Sequence, residues 1–262
     1  MENRRLSLLY NIQSLYNSSD VGTVEYQLSG YLIDNYDKIH ELNIYEVAED
    51  NNVSRATVRR FCQNLGYSNF KELKDHFKEF DEGISQYDEF YSRTNFLSDL
   101  KQQIFNMFDE LEYRLSTKEL TQIVCSIRDA DQVILIASST IANSIRFFQQ
   151  TMAIFGKRVS IVVDEEKFNS MKHTLTRQSI IMIFSISGLF AQVMMKCTYE
   201  SNAQVYLFTN SRNPLFNKYF DKVYHLTSMG NQRPSEIIYY TYGISFILDS
   251  ILNEYYELKS RK

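Results

Sequence analysis

Residues 53–74, VSRATVRRFCQNLGYSNFKELK, constrain the fold more than any other part of this chain. Ser54 predicts a helix start, because a serine hydroxyl accepts a backbone N–H that the first turn leaves unpaired. Helix-compatible residues run from there to Leu65, and Gly66 stands where a helix end needs a left-handed residue. Between these ends, Ala56, Val58, Phe61 and Leu65 are placed to face inward. Arg55, Thr57, Arg59 and Arg60 lie along the N-terminal part of the same helix. Upstream, the segment from Ile44 to Ala48 reads as a preceding helix and Asn51-Asn52 as its turn. Two short helices joined by a tight turn, the second basic near its start, have the helix-turn-helix geometry.

Eleven residues of this stretch, Ser54, Thr57, Val58, Arg60, Phe61, Leu65, Gly66, Tyr67, Phe70, Leu73 and Lys74, match S-x-x-T-V-x-R-F-x-x-x-L-G-Y-x-x-F-x-x-L-K without a gap. The segment resembles the helix-turn-helix of the RpiR (MurR/RpiR) family of bacterial transcription regulators. Expected helices at 6–16 and 23–35 suit the N-terminal domain of that family. The resemblance implies a C-terminal sugar isomerase (SIS) domain that senses a phosphosugar. It also implies double-stranded operator DNA as a partner, contacted by Ser54, Arg55, Thr57, Arg59, Arg60, Lys71 and Lys74. Early recognition-helix residues read base edges, which favours Arg55, Thr57 and Arg59. Arg60, beside Phe61, buttresses the fold or reaches a phosphate. Lys71 and Lys74 are expected on phosphate, which adds affinity without sequence information. The plain alternative is that these arginines form a solvated face.

The formal charge of −4 argues by itself against bulk nucleic-acid binding, but its distribution reverses that reading. Five cations face one acid in residues 54–74, and four acids stand alone in residues 41–52. A polarised domain presents a basic face to phosphate while the whole protein stays acidic. Cys62, Cys125 and Cys197 are odd in number and far apart. They predict a reducing compartment, with no disulfide framework and no paired-cysteine metal site. No window reaches the ~18 uninterrupted apolar residues of a membrane span, and no signal peptide is expected. The chain therefore reads as cytoplasmic, with no membrane partner.

Three regions are expected: a helix-turn-helix domain at 1–80, a linker and connecting helix at 81–104, and an effector-sensing and dimerising domain at 105–262. Residues 81–95 lose periodicity, and helical spacing resumes at Phe96 through Leu100, Ile104, Phe108, Leu111 and Leu115. Ser116-Thr-Lys-Glu119 is a capping-box pattern. β-rich runs follow at 132–137, 158–163, 180–185, 205–209 and 222–226, with helices between most of them, notably at 141–155 and 189–201. Apolar strands alternating with helices predict a parallel sheet covered on both faces. The expected fold is an α-helical helix-turn-helix domain followed by an α/β SIS domain. Its sheet has five parallel strands, doubly wound in the flavodoxin-like order. One last helix is expected over 235–258, apolar on more than one side and buried in a dimer or tetramer.

Ligands of open parallel sheets sit at the carboxyl ends of strands where the order reverses. Two such ends carry hydroxyls: Ser138-Ser139-Thr140 and Ser185-Ile186-Ser187-Gly188. Hydroxyls and helix N-terminal N–H groups suit a phosphate. The SIS resemblance assigns Ser138, Ser139, Thr140, Ser185, Ser187 and Gly188 to the effector. Phe190 replaces a family threonine, Gln192 replaces an acid, and the first loop, through Ala142, lacks the family's glycines and serine. Thr209-Asn210 and Asp221 fit the family. The leading reading is a regulator of carbohydrate metabolism controlled by a sugar phosphate. Its alternatives are a regulator whose degenerate SIS domain only dimerises or takes a non-phosphorylated ligand, and a sugar-phosphate isomerase or lyase. His173 and Glu236 are the residues that an isomerase would recruit, but no pairing supports them. The reading is of a non-enzyme with no cofactor, no catalytic residue and no metal. His40, His76, His173 and His225 are scattered without ligand spacing.

Overall fold

The computed structural model describes residues 8–77, 87, 89–137, 141–162, 165–228 and 234–260. The chain divides into two compact units, 1–91 and 92–262.

The first unit contains α1 (Leu8–Ser18), α2 (Val24–Asp34), α3 (Ile44–Asp50), α4 (Arg55–Asn64) and α5 (Phe70–Phe77), with a 3₁₀ turn at Tyr36–Lys38. Local chemistry sets their ends. Thr23 caps α2, its hydroxyl accepting the Tyr26 N–H. Asn43 and Glu46 form a capping box at the start of α3. Asn52 is left-handed at φ 51°, and the Val53 N–H reaches back to the Ala48 carbonyl at 2.9 Å. That bond closes α3 and turns the chain into α4. At the other end of α4, Gly66 is left-handed at φ 88°. The Tyr67 N–H bonds the Cys62 carbonyl and the Gly66 N–H bonds the Gln63 carbonyl, both at 2.9 Å. This is the Schellman closure that Gly66 foretold.

The core of this unit gathers Leu8, Ile12, Leu28, Leu32, Val47, Val58, Phe61, Cys62, Leu65, Tyr67, Phe70 and Leu73. Ala56 corrects the sequence reading, because it is exposed. Val58, Phe61, Cys62 and Leu65 follow the i, i+3, i+4, i+7 rule, and position 56 falls off that stripe. Burial pushes the Cys62 thiol up to about 12, so it serves as an inert core side chain.

The second unit opens with α6 (Phe96–Arg114) and α7 (Thr117–Asp129), the latter started by the Ser116–Glu119 capping box. Strands β1 (Val133–Ala137), β2 (Val159–Val162), β3 (Ile180–Phe184), β4 (Gln204–Thr209) and β5 (Lys222–His225) then form one parallel sheet. Its order is β2-β1-β3-β4-β5, the flavodoxin-like arrangement expected from the sequence. Every residue of β1 and β3 is buried, as strands covered on both faces require. Ile136 pairs with Ile183, and Ile183 with Leu207, so the carboxyl ends of the three central strands lie in register. Helices α8 (Ala142–Ile154), α9 (Glu165–Met171), α10 (Leu189–Tyr199) and the short α11 (Phe216–Tyr219) connect the strands.

The end of the chain departs from expectation. The last helix is not one regular α-helix. A turn at Glu236–Ile238 leads into a π turn at Tyr239–Gly243, and α12 (Ile244–Ser260) follows. The Ile244 N–H donates to the Tyr239 carbonyl, an i to i+5 bond that widens the helix by one residue.

Candidate functional sites

The first candidate site is the N-terminal part of α4. Ser54 precedes it in extended backbone, at φ −78° and ψ 152°, and its Oγ accepts the Thr57 N–H at 3.1 Å. The Ser54 and Thr57 hydroxyls also bond each other at 2.8 Å, so both have a structural role in starting the helix. Arg55 is exposed, with its guanidinium carbon 4.6 Å from the centroid of the Tyr45 ring on α3. A cation over an aromatic face gains electrostatically and holds the side chain in place. Arg59 and Arg60 are both exposed. Arg59 stands four residues after Arg55, on the same face of the helix. Arg60 borders a cavity of about 340 Å³ shared with Val24, Glu25, Thr57, Phe61, Gln63 and Asn64. Lys71 is exposed on α5.

Lys74 is occupied elsewhere. It is half-buried, and its ammonium donates to the Leu42 carbonyl at 2.6 Å and to the His40 carbonyl at 3.4 Å. It ties α5 to the loop before α3. These bonds give Lys74 a structural role and leave one of its three ammonium N–H groups for a phosphate. Lys74→Met should therefore lower stability by about 1–2 kcal/mol, through loss of charged hydrogen bonds. It should leave the salt dependence of DNA binding unchanged. Lys71→Ala should do the reverse, reducing the slope of log K against log salt by about 1. Denaturant melts and salt titrations of the two variants check both halves.

The second candidate site is the β3–α10 loop. Ser185 is buried, and its Oγ accepts the Ala191 N–H at 3.0 Å, which fixes the first turn of α10. Ser187 is half-buried. Its Oγ accepts the Leu189 N–H at 3.4 Å. Gly188 is left-handed at φ 85° and immediately precedes α10. A Cβ built there would lie 2.5 Å from Ser211 Cβ and 3.1 Å from Phe216 Cε2. Phe190 is buried, whereas Gln192 is exposed on the other side of the helix. Beside the loop, the Asn210 N–H and the Thr209 hydroxyl both donate to the Ile186 carbonyl, at 2.9 and 3.2 Å. Ser138, Ser139 and Thr140, expected on the neighbouring loop, lie outside the described residues.

Other residues singled out in the sequence fall away from this loop. Asp221 bonds the β4 backbone at Val205, at the opposite end of that strand. His173 is exposed, next to Thr174, whose carbonyl accepts from Gln132 just before β1. That is the amino end of the sheet. The sequence reading missed Tyr240. Its phenol oxygen accepts the Ser187 N–H at 3.4 Å across a separation of 53 residues. A further cavity of about 710 Å³ lies along edge strand β5 between Arg114, Lys118, Glu119, Tyr224 and His225, away from all of the expected effector residues. Burial, then the nearby Arg212 and Arg114, hold His225 below its usual range.

A capped basic helix after a tight turn, followed in the chain by a doubly wound sheet with a hydroxyl-bearing loop at its switch point, defines a class of architecture: a helix-turn-helix unit and a flavodoxin-like α/β unit. Residues 7–81 match the helix-turn-helix domain of the rpiR family, and the N-terminal unit is an rpiR-family domain. No curated protein sequence matches the chain. Among solved structures, the chain is similar to the NanR protein of Vibrio vulnificus complexed with ManNAc-6P. The TM-score is 0.53 and the identity 17%, over 97% of this chain and 93% of that one. It is also similar to a candidate sugar-phosphate isomerase of Listeria monocytogenes, with a TM-score of 0.50 and 12% identity over 63% of this chain and 87% of that one. At these identities the likeness establishes the fold.

Proposed function

We propose that this protein is a transcription regulator that binds double-stranded operator DNA and answers to a sugar phosphate. The observation that carries the reading is the rpiR-family match over a unit whose recognition helix is capped, closed and basic on its exposed face. Arg55 and Arg59 read base edges in the major groove. Ser54 and Thr57 position the start of the helix against the backbone. Arg60 and Lys71 hold phosphates. The effector sits at the carboxyl ends of β1 and β3, held by Ser187 and the loop 138–140, while Ser185 and Gly188 shape the backbone around it. The Vibrio vulnificus protein of similar fold was complexed with ManNAc-6P, which supports a phosphosugar as the ligand class. A homodimer or tetramer would place two recognition helices at the spacing of successive major grooves. Ligand binding shifts that spacing only if the two arrangements bind the ligand with different affinity.

This reading makes the protein a cytoplasmic non-enzyme. His173, at the amino end of the sheet, is remote from a ligand at the carboxyl ends, which weighs against the isomerase reading. Two observations favour a second reading, a domain that only dimerises: the Ser185 hydroxyl accepts a bond at the start of α10, and Phe190 is buried where the family has a threonine.

Thermal unfolding against a panel of sugar phosphates and free sugars separates the readings. A ligand at ~100 times its Kd adds ~2.7 kcal/mol, a shift of several degrees for a domain of this size. The expected result is a shift with a sugar phosphate that is reduced by Ser187→Ala. A shift with free sugars alone would replace the phosphosugar by a neutral ligand. No shift with any compound, in protein that still binds DNA, would favour the dimerisation domain.

A further inference from the structure

The last helix starts with a π turn, Tyr239–Gly243. Such single-turn π bulges within α-helices are frequent at functional sites. Here the turn carries Tyr240. Tyr239 beside it is fully buried, and Tyr240 is half-buried against the β3–α10 loop. The Tyr240 phenol oxygen accepts the Ser187 N–H at 3.4 Å, and its O–H lies 3.5 Å from Ser187 Oγ. Both contacts are long, so both are weak. An N–H at this place, one residue before the left-handed glycine that opens α10, is a donor that an anion takes. The Tyr240 oxygen thus stands where an anion's oxygen would stand.

An independent feature lies at the same end of the sheet. Asn210 follows β4 and is 5% exposed, and its backbone N–H bonds the Ile186 carbonyl within the loop. Its side-chain Oδ1 is buried without a hydrogen-bond partner among the described residues. A buried amide oxygen left without a donor is costly, and a ligand hydroxyl is a donor that would satisfy it. Anion donors at Ser187 and an orphan acceptor at Asn210 together match a ligand that carries a phosphate and hydroxyl groups.

We propose that Tyr240 is an affinity- and selectivity-determining residue of the effector site. Its hydroxyl holds the acceptor position on the Ser187 N–H until a phosphate oxygen displaces it. The proposal rests on the strand-end reading of the effector site. Its consequence is chemical discrimination. A phosphate dianion exchanges a long neutral hydrogen bond for a charge-assisted one, which is roughly twice as strong. A neutral sugar hydroxyl gains nothing by the same exchange. Displacement acts on the π turn that leads directly into α12, and α12 packs against α7 and α8.

The test uses the full-length protein and Tyr240→Phe, which keeps the ring and removes the hydroxyl. Serine-labelled ¹⁵N protein is titrated with inorganic phosphate, and the Ser187 amide is identified by its loss in Ser187→Ala. Removing one competing hydrogen bond worth about 1 kcal/mol should let the Ser187 amide respond at roughly five-fold lower phosphate in Tyr240→Phe. Thermal shifts with sugar phosphates should strengthen in the same variant. Tyr240→Leu, which also removes the hydroxyl, should repeat the gain if Phe disturbs the turn. Equal response of the two proteins, weaker response in Tyr240→Phe, or no response of Ser187 in either would overturn the proposal. A stronger phosphate response without any sugar-phosphate stabilisation would uphold Tyr240 and discard the phosphosugar reading. Equal sugar-phosphate stabilisation of both proteins would do the opposite.

Discussion

Gly188→Ala is expected to destabilise the second unit by about 2–5 kcal/mol, the sum of left-handed backbone cost and overpacking. Two separate causes meet at this residue. At φ 85° any side chain is strained, whatever space surrounds it. The space is also taken, because the new Cβ would lie 2.5 Å from Ser211 Cβ, 2.7 Å from Ser211 Oγ and 3.1 Å from Phe216 Cε2. For a unit of this length, about 2–4 °C is lost per kcal/mol, so the midpoint should fall by roughly 4–20 °C. The causes separate in a double variant. Adding Ser211→Gly removes the two nearest atoms and should restore the steric share while leaving the backbone share. The non-additivity of the two changes measures the clash directly. A single variant that melts within about 1 °C of the parent would show that the turn relaxes at no cost. The same variant should lose effector binding ahead of its stability, since the glycine sets the direction of the Ser187 N–H.

Arg59→Ala is expected to weaken operator binding by about 1–3 kcal/mol, or roughly 5- to 150-fold, with little change on scrambled DNA. Its neighbours on α4 already have structural roles. Thr57 bonds Ser54, and Arg55 lies over Tyr45. Arg59 is exposed and has no hydrogen-bond or ion-pair partner among the described residues, so its guanidinium is available to form a bidentate pair with a guanine. Folding should be unaffected, within about 0.5 kcal/mol, because the side chain is on the surface. DNA selected from a random pool supplies the operator, and titrations against selected and scrambled duplexes read the discrimination. Equal losses on both duplexes would move Arg59 to a phosphate. No loss on either would remove it from the interface.

The residues that the sequence placed best act through short-range chemistry. Ser54, Thr23 and Ser116 all cap helices, because a cap is satisfied within three residues. Gly66 closes α4 for the same reason. All five strands were visible as β-rich runs, and β1 and β3 are wholly apolar, because strands covered on both faces need no alternation. Ala56 was misplaced by a small apolar residue two positions from the true stripe.

Other properties were settled by packing between distant segments. Lys74 looks like a phosphate ligand in the sequence, yet it bonds carbonyls 32 and 34 residues away. Ser185 looks like an effector ligand, yet its hydroxyl starts a helix. Tyr240 carries no signal at all, because its partner Ser187 lies 53 positions away in the chain. The sequence alone determined the elements, the helix-turn-helix and the sheet class, since each follows from propensity, caps and period within a few residues. Only the tertiary structure decided which polar side chains are spent on the fold and which remain for a ligand. A polar atom's partner is set by how whole elements pack, and no local pattern encodes that distance.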